Sequence, residues 1–150
     1  MKKFAFSLER VLGYKRQVLD LLKNELSGLQ AQVLGLERQI ESKNREFDST
    51  DRFLIDSMRR GTTPQNVAAY KRYLGELNRR VLALQKEKQE AERAVAEKQE
   101  EIVRMNGEIS ALEHLRERQF ADYCAQERKE QETQVEEFVS HARIREACAP

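Results

Sequence analysis

The chain has 150 residues, of which 35% are charged and 7% aromatic; Trp is absent, and Pro occurs only at Pro64 and Pro150. So much charge leaves little apolar material for a three-dimensional core and favours long helices packed in pairs. The formal net charge of +1, from 27 basic and 26 acidic residues, argues against a dedicated nucleic-acid surface, which carries a clear basic excess.

The N-terminal M-K-K-F-A-F-S-L-E-R begins like a secretory signal, but Glu9 and Arg10 interrupt the apolar region before it is long enough. No run of about 18 apolar residues follows, so no membrane span is expected. Two thiols, Cys124 and Cys148, make no disulfide framework, and the chain reads as cytosolic.

A first helix is expected over about residues 5–59. Its apolar residues recur at alternating spacings of four and three: Leu8, Leu12, Lys15, Leu19, Leu22, Leu26, Leu29, Val33, Leu36, Ile40, Lys43, Phe47, Thr50 and Leu54. Only Lys15, Lys43 and Thr50 interrupt the stripe, which is the narrow two-in-seven seam of a coiled coil.

The stretch R-R-G-T-T-P-Q, Arg59 to Gln65, cannot continue that helix. Gly61 suits the left-handed residue that ends a helix, and Thr62 or Thr63 can cap the next one with Pro64 in its first turn. A turn over about 60–63 is short enough to force antiparallel neighbours, with position i opposite roughly 123 − i.

The second helix is expected over about 64–145. Its seam runs Val67, Tyr70, Leu74, Leu77, Val81, Leu84, Lys88, Ala91, Val95, Lys98, Ile102, Met105, Ile109 and Leu112, with Lys88 and Lys98 as departures. The expected fold is therefore all-α: two long helices in an antiparallel coiled-coil hairpin, a single domain over 1–150, with the second helix extending beyond the first. At about 1.5 Å per residue the helices span roughly 80 Å and 120 Å. Beyond about residue 119 the second helix has no intramolecular partner, and its apolar pattern thins to Phe120, Tyr123, Val135, Phe138 and Val139. Such an overhang is marginal in water unless something binds it. Gly13, Gly28, Gly35, Gly75 and Gly107 inside the helical frames, with the seam lysines, read as tolerated slack or as sites of bending.

The ends differ in charge. Residues 1–60 hold 12 Lys and Arg against 9 Asp and Glu, while residues 119–150 hold 4 against 7. Different partners at the two ends would account for this, and so would solvated helix faces. Around the turn, Phe53, Tyr70 and Tyr73 cluster with Arg59, Arg60, Lys71 and Arg72 nearby, either as an exposed interaction patch or as a thickened core.

Catalytic signatures are missing. No G-x-x-x-x-G-K-[ST] or G-x-G-x-x-G occurs. His114 stands ten residues from Cys124 and His141 seven from Cys148, too few ligands for a zinc site. The carboxylates alternate with cations, as Glu97, Lys98 and Glu101 do, and a two-helix rod offers no water-excluding pocket to perturb them. No cofactor, metal, small-molecule substrate or enzymatic activity is expected.

Three segments carry a family likeness. F-A-F-S-L-E-R-V-L-G-Y-K-R at Phe4 to Arg16, A-A-Y-K-R-Y-L-G-E-L after the turn, and L-R-E-R-Q-F-A-D-Y-C-A-Q-E-R-K-E-Q-E-T-Q-V-E-E-F at Leu115 to Phe138 together resemble the flagellar type III export protein FliJ family. The resemblance covers essentially the whole chain. It implies a cytosolic coiled coil, peripheral at the cytoplasmic face of the inner membrane and similar to the central stalk of rotary ATPases. Its implied partners are the hexameric flagellar export ATPase, the cytoplasmic domain of the transmembrane export gate, and export chaperones. Carried over by motif, the ATPase-facing residues are Leu8, Arg116, Arg128, Gln131, Glu137 and Phe138. The gate-facing residues are Tyr73 and Leu77, to which the aromatic pattern adds Phe53 and Tyr70. The family's last motif usually ends in an acidic pair, often Asp-Glu, where this chain has Glu136 and Glu137; Cys124 within it has no role that the resemblance supplies. The alternatives are a generic coiled-coil tether without an ATPase partner and a nucleic-acid-binding helical arm.

Overall fold

A computed structural model describes residues 2–148. Among these the architecture is all-α: α1 spans Glu9–Arg60, α2 spans Pro64–Cys148, and the two long helices pack against each other. The contacts divide the chain into two units, residues 20–103 and the described residues on either side of that segment.

The unit over residues 20–103 contains the chain reversal. Gly61 has φ 94°, the left-handed conformation that stops α1, where a side chain on the backbone would be strained. Thr63 then caps α2: the Asn66 backbone N–H donates to its Oγ1 at 3.3 Å, and Pro64 occupies the first helical position, where no N–H is needed. The two helices run back along each other, with Phe53 beside Tyr70 and Glu25 beside Lys98, as the expected pairing of i with roughly 123 − i requires. The core is a line of side chains. Leu36, Leu84 and Ala91 are buried together with Val33 and Ile40 packed on them, and Leu84 is only 1% exposed.

The seam lysines keep this line intact. Lys88 and Lys98 hold half-buried positions on it, and their ammonium groups reach out to carboxylates of the other helix, Lys88 to Glu37 at 3.5 Å and Lys98 to Glu25 at 2.7 Å. The methylene stem covers the seam while the charge stays in water. Such pairs add little stability at the surface, and each lysine also meets a carboxylate of its own helix, Lys88 with Glu92 at 3.6 Å and Lys98 with Glu101 at 3.5 Å. Lys43 differs in that its ion pair among the described residues is with its own helix alone, Glu46 at 3.5 Å.

The other unit pairs the first residues with the later part of α2. Leu12, Leu19 and Ile109 are buried, and Lys15 reaches Glu108 at 2.6 Å in the manner of the other seam lysines. Arg16 with Glu113 at 2.9 Å and Arg116 with Glu9 at 3.2 Å flank the seam.

Here two expectations are corrected. The first helix starts at Glu9, not near residue 5, because the chain before it is extended: the Glu9 N–H donates to the Phe6 carbonyl at 3.2 Å in a tight turn. Residues 2–8 nevertheless continue along α2, and the pairing extends past residue 119. Phe6 is buried, the Phe4 ring packs edge-on to Phe120 with centroids 5.2 Å apart, and the Tyr123 hydroxyl donates to the Lys2 carbonyl at 2.6 Å. The second helix continues through Cys148, the last of the described residues.

Candidate functional sites

The unit containing the turn carries the expected aromatic patch. Phe53 and Tyr70 lie with ring centroids 5.5 Å apart, tilted by 56°. Phe53 remains 56% exposed, whereas Tyr70 is half-buried on the seam. Tyr73 does not join the ring pair: it is 40% exposed, and its hydroxyl donates to the Glu46 carboxylate across the hairpin. That bond, with Lys43 nearby, holds the Glu46 carboxyl below the usual range, and the same carboxylate pushes the Tyr73 phenol above its ordinary value. Leu77 is only 5% exposed, a core residue beneath the patch rather than part of its surface. A ligand at this place would meet Phe53 and Tyr73, with Leu77 and Tyr70 supporting them.

The other residue set is spread along one unit. Leu8 is a half-buried turn residue whose carbonyl accepts the Leu12 N–H at 2.9 Å, opening α1. Arg116 is tied to Glu9. Arg128, Gln131, Glu137 and Phe138 lie on the exposed final part of α2. Arg116 and Phe138 are about 33 Å apart along the helix. At about 100° per residue, Arg128, Gln131 and Phe138 fall on neighbouring positions of one face, together with Val135, whereas Glu137 falls on the opposite side from Arg128. After Glu127 every described residue is exposed, including Val135, Val139, Ile144 and Phe138, the last at 76%.

The aromatic group of Phe4, Phe120 and Tyr123 was not anticipated. Its signal lay in the alternation of Phe4, Ala5 and Phe6, a period of two just ahead of the heptads, which marks extended chain rather than helix. Partial desolvation under this segment, then the carboxylate of Glu127, pushes the Tyr123 phenol upward. Beside it, Phe4, Arg16, Glu113, Arg116, Glu117 and Phe120 line a groove, but both arginines already hold carboxylates.

Among the described residues no three His, Cys, Asp or Glu side chains are grouped so as to hold a metal ion, and no helix is long and apolar enough to cross a membrane. Cys124 is half-buried and Cys148 exposed, both as free thiols.

Two long helices packed against each other, with no strand among the described residues, define an all-α coiled-coil protein. A family model described as "Flagellar FliJ protein" matches residues 4–147, nearly the whole chain. The chain belongs to the FliJ family, and is accordingly a flagellar export-related protein. No curated protein and no solved structure matches it.

Proposed function

We propose that the chain is a non-catalytic, stalk-like component of flagellar protein export that binds and promotes the hexameric export ATPase, links it to the cytoplasmic domain of the export gate, and escorts export chaperones at the cytoplasmic face of the inner membrane. The observation that carries this reading is the last part of α2, where Val135, Phe138 and Val139 are exposed on a helix that no other described residue covers after Glu127. A helix of that kind gains order by entering a ring, because the surrounding subunits cover the apolar face that the chain itself leaves open. Arg128, Gln131 and Phe138 are the face offered to the ATPase, with Leu8 and Arg116 a second contact nearer the paired helices. Phe53 and Tyr73 are the surface offered to the gate, Tyr73 by the family resemblance and Phe53 by its exposed ring.

Hydrolysis of ATP by the cognate export ATPase, measured with and without this chain, tests the reading. Stimulation accompanied by co-purification is expected; neither stimulation nor co-purification would leave a generic coiled-coil tether as the better account.

A further inference from the structure

The turn carries a second property besides its aromatics. Within residues 50–73 the basic side chains are Arg52, Arg59, Arg60, Lys71 and Arg72, against Asp51 and Asp56. All five cations are exposed, and among the described residues none of them is in an ion pair, in contrast to the lysines of the seam. Arg59 and Arg60 lie in the last turn of α1, where cations suit the negative end of the helix dipole. Lys71 and Arg72 have no such reason to be there.

Apolar side chains stand among these charges. Met58 is 52% exposed at the apex, where it lines a shallow depression with Gly61, Thr62, Pro64 and Val67. Ile55 and Phe53 are exposed one turn below it. Exposed apolar side chains interleaved with unpaired cations match the chemistry of an anionic lipid surface, where apolar groups sit among the headgroups and cations meet phosphates. A chain reversal has no flanking walls to grip a peptide, yet it can be pressed end-on against a plane.

We infer that the turn is a docking element for an anionic lipid surface: Met58 and Ile55 enter the headgroup layer while Arg59, Arg60, Lys71, Arg72 and Arg52 meet phosphates. The contact goes beyond the stalk role and does not depend on it, since it needs neither ATPase nor gate.

The test is co-sedimentation of the full chain with vesicles of phosphatidylcholine alone and with phosphatidylglycerol added. Binding to the anionic vesicles only is expected, with release at about 0.5 M salt as the charges are screened. Replacing Arg59→Gln together with Arg60→Gln should weaken binding about 30-fold, at roughly a factor of five for each charge. The pair Lys71→Gln and Arg72→Gln, inside α2 and away from the cap, should do the same, and Met58→Ser should weaken it roughly tenfold. Equal binding to neutral vesicles, or undiminished binding by both double variants, would overturn the inference. So would tighter capture of the turn by polyglutamate than by anionic vesicles, which would point to an acidic protein surface instead.

Discussion

The hairpin over residues 20–103 and the last stretch of α2 use the same helix-forming composition to opposite ends. In the hairpin each apolar residue of the heptad finds a counterpart: Leu36, Leu84 and Ala91 close a core, and even Lys88 and Lys98 on the seam have carboxylates across it. After Glu127 the helix continues with comparable charge, but Val135, Phe138, Val139 and Ile144 stay open to solvent. The difference teaches that helicity and pairing are separable. The first comes from local composition, and the second needs an apolar stripe with something to cover it.

Substitutions can break this contrast in a graded way. The largest effect is expected in the core, where Leu84→Ala removes a fully enclosed side chain and should cost about 2–4 kcal/mol in urea unfolding. Phe138→Ala should leave the unfolding midpoint unchanged while weakening co-purification with the export ATPase. At the reversal, Gly61→Ala imposes a side chain on a left-handed residue, and Thr63→Ala removes the cap of α2; each should cost about 1 kcal/mol. Gly107→Ala has open space around the new methyl group and should gain about 1 kcal/mol of helix propensity, read as a higher melting temperature.

The smallest effect concerns pH. The Glu46 carboxyl is held below its ordinary 4.5, so its contribution is present above that value and fades as pH falls through the lowered pKa. The Tyr73 phenol is held above its ordinary 10.0, so its contribution is present below that value and fades as pH rises through the raised one. Tyr73→Phe removes their shared bond. The difference in melting temperature between the native chain and this variant should be largest from about pH 5 to 9 and shrink on both flanks; a difference independent of pH would mean that the ring alone matters.

Most of the fold was legible because a heptad is a long, redundant signal. None of the positions assigned to the two seams is fully exposed, and the cap chemistry of Gly61, Thr63 and Pro64 is local. The N-terminal segment was not legible in the same way. Phe4 and Phe6 sit two residues apart, too few for a periodicity to stand out, and what holds Phe4 is a distant pair, Phe120 and Tyr123. Leu77 shows the limit at the surface: one heptad position was read as both seam and contact, and burial assigns it to the seam. The open face of α2 is legible in this chain's residues only as an absence of cover.

Hydrogen exchange along α2, with and without the export ATPase, tests the central claim most directly. In the free chain, protection should be strong through the paired helices and low from residue 128 onward; with the ATPase, protection should rise in residues 128–148. Protection rising only within residues 20–103, with the end of α2 unchanged, would contradict the account.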